Sequence, residues 1–418
     1  MKQVLTEILS AEELDDAAVT RVLTLARSRL GMDLAWFSST IDGDQVVEVL
    51  DGRTELFGVR QGDRLALDGS YCIRVLAGKL PAVIPDTAAN PVTNALGVTR
   101  TVGIGAYVAA HLRASSGEYY GTLCCFSSAR QPSLDERDAT FLQVLADLLA
   151  DSIDRRLEQR RSAEMVRDRI RSVLDDGGPR MVFQPVVRLC DLETVGYEAL
   201  ARFPGGHGGP EQWFNDADRV GMGCDLELAA VRNALAALPL LPGALWLSVN
   251  VSARTLIDTA LWSALPSHAR ARTVLEITEH APVVEYRVLH HRMRDLRSAG
   301  IRFAIDDAGA GYSGMRQLVE LRPDIIKMDY HLTHGMNRDP ARLAMATALV
   351  AFGNATDSVI LAEGIETRAE LLTAQQLGIG LAQGYFLGRP MSIEDLSCPV
   401  GIDDAAPNEV TAVSLPTG

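Results

Sequence analysis

The chain has 418 residues, too many for one ordinary domain and suited to two or three. Hydrophobic residues make up 47% and charged residues 22%, so most of it is expected to fold. A formal net charge of −14 argues against a nucleic-acid polymer as partner, since counterion release needs a basic face. A small anionic substrate stays open if metal ions bring the positive charge. The N-terminus turns acidic at Glu12-Glu13 without an apolar run, and no stretch approaches the roughly 18 apolar residues of a membrane helix. Neither a signal peptide nor a membrane span is therefore read, and the expected location is the cytoplasm. The six cysteines show no CxxC spacing and no disulfide framework, and the adjacent Cys124 and Cys125 read as core residues. Cys124 and Cys125, adjacent in a strand-like run, should point to opposite faces of a sheet.

In chain order, Leu5 to Leu30 has the apolar spacing of a helix, and Ala35-Trp36-Phe37 opens a series of extended runs. Further strands are predicted at Val46–Leu50, Ile104–Leu112 and Tyr119–Phe126, with turns at Asp42-Gly43 and Ser116-Gly117. The pattern predicts an α+β domain on an antiparallel sheet, residues 1–132, with its last helix running to about 157. Ser133 and Glu136 read as a capping box that opens that helix. Apolar spacing then continues from Phe141 through a charge-rich stretch to Asp176-Gly177-Gly178-Pro179, where glycine and proline stop it. A helix of that length exceeds one core. Residues 133–176 therefore read as a connecting helix, paired with a second copy of itself in a homodimer; a broken pair of surface helices is the competing reading.

From Met181 short apolar runs recur, mostly separated by helix-length segments. They are Met181–Val187, Thr194–Leu200, Leu245–Val251, Thr273–Thr278, Arg302–Ile305, Ile325–Met328, Val359–Ala362 and Gly378–Phe386. Eight such strands over residues 177–396 predict a β/α barrel, with a doubly wound sheet as the alternative. The barrel is preferred because polar residues close many different strands. Residues 397–418, rich in small residues, are expected to be a disordered tail.

Glu198, Asn250, Glu276, Asp306-Asp307, Lys327, Glu363 and Gln383 each close or follow one of these runs, and Glu279 comes three residues after Glu276. Any one of them alone would read as a solvated turn or cap residue. As a set they would converge on the face where barrel enzymes place their sites. Carboxylates crowded together repel, and divalent cations resolve that conflict. Oxygen-only ligands favour Mg²⁺ or Mn²⁺ over zinc. Two such ions, about 3.5–4 Å apart, suit in-line attack on a phosphodiester, with Lys327 orienting water or stabilising charge.

These residues resemble a known family. Glu198-Ala199-Leu200 looks like the signature of EAL-domain cyclic di-GMP phosphodiesterases, and the likeness spans roughly Met181 to Pro390. It includes Phe183-Gln184-Pro185-Val186-Val187, Asn250-Val251-Ser252, Glu276-Ile277-Thr278-Glu279, Asp306-Asp307, Ile326-Lys327-Met328-Asp329, Ala362-Glu363-Gly364-Ile365-Glu366-Thr367 and Gln383-Gly384-Tyr385. The resemblance implies a modified TIM barrel that hydrolyses cyclic di-GMP to linear pGpG with two Mg²⁺ or Mn²⁺ ions. It matches Glu198, Asn250, Glu276, Asp306, Asp307 and Glu363 to metal-binding positions. Lys327 matches the lysine near the nucleophilic water, and Glu363 and Glu279 join it as catalytic residues, Glu279 by steadying the loop after Asp307. Gln184, Arg202 and Gln383 match positions that contact substrate or line the site. Ala308 departs from the family's phenylalanine in Asp-Asp-Phe-Gly, which removes a large contact and loosens the loop if that position is packed; the metal-binding set is present, and an active enzyme is expected.

A second likeness covers residues 15–155. Ser70-Tyr71-Cys72, Leu80 to Asp86, Ile104 to Val108 and Tyr120 to Phe126 look like a GAF sensory domain, which implies a fold but no particular ligand. The expectation is a phosphodiesterase modulated by its GAF-like domain. Rival readings are a cyclic di-GMP receptor without catalysis and a dimeric docking protein. No GGDEF-type segment is visible.

Overall fold

The computed structural model describes residues 16–41, 44–66, 70–206, 208–277, 286–308 and 312–397. Contacts divide the chain into two units, Met1–Ala163 and Glu164–Gly418. The start of the first predicted helix, the Asp42-Gly43 turn and residues 398–418 of the expected tail lie outside the described residues.

In the first unit, helix α1 (Asp16–Leu30) precedes strands β1 (Leu34–Ile41), β2 (Asp44–Gly52) and β3 (Arg64–Ala66). Three short helices follow, α2 (Tyr71–Leu76), α3 (Pro91–Ala95) and α4 (Gly97–Val102), with β4 (Val83–Ile84) between the first two. Strands β5 (Ala106–Arg113) and β6 (Tyr119–Ser127) complete a sheet of order β3-β2-β1-β6-β5-β4. Every neighbouring pair is antiparallel, as the alternating runs predicted. Both faces of this sheet are covered, and the pleat sends adjacent Cys124 and Cys125 into different cores. Cys125 packs with Leu23, Leu142 and Leu149, whereas Cys124 packs with Trp36, Cys72 and Tyr107. Helices α2 and α3 are too short to show a period in sequence. They are held by their caps instead: Ser70 accepts from the Ile73 amide, and Asn90 from the Val92 and Thr93 amides.

Helix α5 spans Glu136–Asp175, 40 residues without a break. The predicted cap is corrected by two residues. Asp135 Oδ1 accepts from the Arg137 amide at 2.8 Å, and the Asp135 amide donates to Asp138 Oδ2 at 3.1 Å. Ser133 falls in a preceding turn, closed by the Leu134 amide on Gln131 O, which buries Leu134 in the core. At the other end Gly177 and Gly178 adopt φ of +97° and +92° and donate back to Leu174 O and Val173 O. Leu142, Leu149, Ile153 and Leu157 belong to the first unit's core, while Val166, Ile170 and Val173 pack with Trp213 and Leu226. A helix too long for one core thus serves two.

The second unit is a closed barrel. Its strands are β7 (Arg180–Arg188), β8 (Thr194–Arg202), β9 (Trp246–Val251) and β10 (Thr273–Ile277), then β11 (Arg302–Ala308), β12 (Ile325–Met328), β13 (Val359–Ala362) and β14 (Leu381–Ala382). All eight predicted runs are strands of it. Strand β7 is antiparallel to both β8 and β14, and the remaining pairs are parallel. Helices α6 (Pro210–Arg219) and α7 (Gly223–Ala236) follow β8; α8 (Ala253–Ile257) and α9 (Ala260–Ala264) follow β9. Helices α10 (Tyr286–Ser298), α11 (Tyr312–Leu321), α12 (Tyr330–Thr333), α13 (Pro340–Thr356) and α14 (Arg368–Gln376) complete the outer layer. No helix among the described residues is long and apolar enough to cross a membrane.

Inside the barrel, Val186, Trp246, Val274, Ala304, Ile325 and Leu361 form one apolar layer. The indole of Trp246 occupies the space over Gly196, where an added Cβ would come within 2.4 Å of the ring. Gly196→Ala is therefore expected to cost about 1–3 kcal/mol by overpacking. Denaturant unfolding followed by tryptophan fluorescence reads the change, and an unshifted midpoint would contradict this packing.

Candidate active site

Side chains alternate along a strand, so the residue two positions beyond each apolar contributor points the same way, one layer further along the barrel. Val274 is followed at that spacing by Glu276, Ala304 by Asp306, Ile325 by Lys327 and Leu361 by Glu363. Gly196 leads to Glu198, Leu381 to Gln383, and Trp246 to Ser248 and then Asn250. Strand β7 runs the other way, so Gln184 lies two residues before Val186. One apolar layer thus carries one polar layer.

Lys327 lies at its centre, 1% exposed. Its Nζ is 2.7 Å from Glu276 Oε2, 2.8 Å from Glu363 Oε1, 3.0 Å from Asp306 Oδ1 and 3.4 Å from Glu198 Oε1. Burial alone would lower the pKa of this ammonium, but the four carboxylates together outweigh it and hold the group charged well above its usual range. Burial, then the charge of Glu198, pushes Glu276 well up. Burial also raises Glu363, to about 8, with Asp306 and Glu198 adding and Lys327 opposing. The side chains of Asp306 and Glu363 are 18% and 19% exposed, against 3% for Glu276, so solvent reaches the cluster from their side.

Carboxamides tie the rest together. Gln383 Nε2 donates to Glu198 Oε2 at 2.7 Å and to Gln184 Oε1 at 2.9 Å, and Gln184 Nε2 donates to Gly388 O. Asn250 Nδ2 donates to Glu198 Oε1 at 3.2 Å. Asn250 Oδ1 and Gln383 Oε1 are buried acceptors without a partner among the described residues. Glu198, Asn250, Glu276, Asp306, Lys327, Glu363, Gln383 and Gln184 are thus brought together. Arg202 is not: it is exposed at the end of β8, donates to Ala201 O, and lines a groove of about 1120 Å³ with Arg180, Phe203 and Pro204. Glu279, the side chains of Asp307 and Ala308, and residues 309–311 lie outside the described residues. The backbone of Ala308 continues β11, paired with Met328.

Two positioning residues escaped the sequence reading. Glu227 on α7 accepts from the Ser252 amide and hydroxyl, fixing the chain just after Asn250. Glu370 caps α14 reciprocally with Thr367 and accepts from the Glu366 and Gly335 amides, fixing the segment after Glu363. The capping box was legible in Thr367-Arg368-Ala369-Glu370; Glu227 had no local signal. Between Glu363 and that cap, Gly364 has φ +65°, and a Cβ there would meet the Tyr330 ring at 2.2 Å.

The donor set suits a hard divalent cation: four carboxylates and the unpartnered Asn250 carbonyl, all oxygen. As they stand, no three His, Cys, Asp or Glu side chains among the described residues are grouped in metal-holding geometry, and the carboxylates lean on Lys327 instead.

The model of the EAL domain matches residues 167–390, more than half of the chain, and that of the GAF domain matches residues 16–153. The chain belongs to the EAL-domain family and carries a GAF domain ahead of the barrel. It is 28% identical over 271 residues to "Probable cyclic di-GMP phosphodiesterase PdeG" of Escherichia coli (strain K12), covering 61% of this chain and 52% of that one. The chain therefore spans about half the length of that relative. Among solved structures it is similar to "PaMucR Phosphodiesterase, c-di-GMP complex", with 27% identity and a TM-score of 0.50 over 56% of this chain and 99% of that one. A likeness to "Structure of EAL Enzyme Bd1971 - cGMP bound form" covers 87% of this chain and 92% of that one. Its TM-score is 0.54, and at 17% identity it speaks for the fold alone.

Removing the central ammonium takes away the one positive charge that opposes repulsion within the carboxylate cluster. Lys327→Met is expected to cost about 3–5 kcal/mol of stability in the presence of chelator. Added Mg²⁺ or Mn²⁺ should restore part of it by replacing the lost charge. Equal unfolding midpoints of parent and variant in chelator would show that the carboxylates do not depend on Lys327.

Proposed function

We propose that the barrel is a metal-dependent phosphodiesterase that hydrolyses cyclic di-GMP to linear pGpG. The observation that carries this reading is the convergence of four carboxylates and a carboxamide oxygen on one buried lysine at one level of the barrel. Family membership and the similarity to PdeG and to the PaMucR complex with c-di-GMP support the choice of substrate. In this proposal Glu198, Asn250, Glu276, Asp306, Asp307 and Glu363 hold two Mg²⁺ or Mn²⁺ ions. Bound there, such ions supply the positive charge that favours both a nucleophilic water and a phosphodiester under attack.

Lys327 Nζ keeps its proton and offers it as a hydrogen bond to the attacking water or to a phosphate oxygen. Glu363 Oε1 is the neighbouring acceptor for a proton of that water. Gln383 and Gln184 hold Glu198 in orientation through the pair of bonds from Gln383 Nε2. Arg202 lies on the same strand as Glu198, four residues on and therefore on the same face. Its guanidinium suits a phosphate oxygen pair at the rim. The family resemblance assigns Glu279 the role of steadying the loop after Asp307.

The proposal extends to regulation. The first unit modulates the barrel through α5, because that one helix contributes buried side chains to the cores of both units. Pairing with a second copy also runs through α5, where Val144 and Leu148, one turn apart, are exposed apolar side chains. Sedimentation equilibrium is expected to return dimers, and monomers throughout the micromolar range would remove the pairing.

The activity is tested by incubating the full-length protein with cyclic di-GMP in Mg²⁺, in Mn²⁺ and in chelator, with products resolved by chromatography. Linear pGpG is expected only with metal, and none from Glu198→Ala or Asp306→Ala proteins that retain their circular dichroism. Arg202→Ala is expected to lose about 1.5–3 kcal/mol of charged hydrogen bonding, roughly 10–150-fold in kcat/KM. Saturable binding of intact cyclic di-GMP without product would make the protein a receptor and overturn the hydrolase.

A further inference from the structure

In the first unit two thiols meet across the buried face of the sheet. Cys72, the second residue of α2, places its Sγ 3.2 Å from Sγ of Cys124 on β6. Both are buried, at 4% and 0% exposure. Ordinary core cysteines have apolar neighbours, as Cys125 does on the opposite face, where burial pushes its thiol up to about 12. This pair has polar ones. Gln45 Nε2 donates to Cys72 Sγ at 3.1 Å, and Tyr107 Oη lies 3.2 Å from Cys72 Sγ and 3.3 Å from Cys124 Sγ.

We infer that Cys72 and Cys124 are a reactive dithiol that a peroxide oxidises to an intrachain disulfide. The sulfurs need to close by only about 1 Å to reach the disulfide length of about 2.05 Å. Strand β6 is fixed by ladders to β1 and β5, so the six-residue α2 is the element that shifts. The roles of the two thiols differ. Hydrogen bonding from Cys124, above all, lowers the pKa of Cys72, whereas burial raises that of Cys124 well above the usual thiol range. Of the two, only Cys72 borders a cavity, so Cys72 is the attacking sulfur and Cys124 the resolving one. A cavity of about 10 Å³, enough for one water-sized molecule, touches Cys72 and is bounded by Ser38, Tyr119 and the exposed Thr40. It marks the side of Cys72 from which a small peroxide approaches as α2 shifts.

The chemistry balances with hydrogen peroxide as oxidant. The Cys72 thiolate attacks one peroxide oxygen; the O–O bond breaks, hydroxide leaves, and Cys72 becomes a sulfenic acid. Cys124 sulfur then attacks Cys72 sulfur; the S–O bond breaks, the S–S bond forms, and a second hydroxide leaves. The two hydroxides take up the two thiol protons. Two thiols are oxidised, and one peroxide is reduced to two waters. No step involves the barrel, so the inference is independent of the phosphodiesterase reading.

The test treats the full-length protein with hydrogen peroxide, blocks remaining thiols with iodoacetamide in denaturant, and maps peptides by mass spectrometry without reduction. A peptide linking the Cys72 and Cys124 segments is expected, with loss of both alkylatable thiols and full recovery after dithiothreitol. Because Cys125 adjoins Cys124, the Cys125→Ser protein assigns the sulfur: the link must persist there and vanish in Cys72→Ser. Recovery of both residues fully alkylated, at peroxide concentrations that oxidise the exposed Cys190, would overturn the inference. So would a link from Cys72 to any other cysteine. The parent protein alone decides the matter if Cys72→Ser fails to fold.

Discussion

A buried ammonium surrounded by carboxylates is the constraint on which the second unit depends. Lys327 could not remain charged in the barrel interior alone, and without it the carboxylates would face only one another's repulsion. Each side of the cluster makes the other tolerable. The partners come from β8, β10 and β11 and from the residue after β13. Only closure of the sheet brings those strands around one point, so the charge cluster and the barrel require each other.

Beneath that cluster, the layer built on Val186, Trp246, Val274, Ala304, Ile325 and Leu361 separates the charges from the far mouth of the barrel. The indole fills what Gly196 leaves free, and the pleat sets the polar layer one step above. Around the rim, Glu227 and Glu370 satisfy backbone amides of the segments that follow Asn250 and Glu363. They reach no reacting group themselves. Their effect is to fix the chain where the functional residues leave their strands, which preorganisation of a site demands.

The same alternation governs the first unit with a different outcome. There it sends neighbouring thiols to opposite faces, one into an apolar core and one toward Tyr107 and a second thiol. Helix α5 is amphipathic over a length that neither core could cover. Its capping aspartates at one end and its left-handed glycines at the other define it as one element.

Much was legible in the residues alone. Eight apolar runs ending in polar residues specified the barrel strands, since a strand with both faces buried reads as a continuous apolar segment. The glycines after Asp176 marked the end of α5 because they supply positive φ cheaply. Local signals failed where structure is short or long-range. Helices α2 to α4 carry no readable period, Ser133 yielded its capping role to Asp135 once Leu134 was buried, and Glu227 acts on a residue 25 positions away. The sequence by itself determined which residues can ligate, donate or carry charge, and at what spacing along each strand. Tertiary structure decided which of them meet. Lys327 finds Glu276, and Cys72 finds Cys124, only because burial and strand pairing overcome the entropy of joining distant segments.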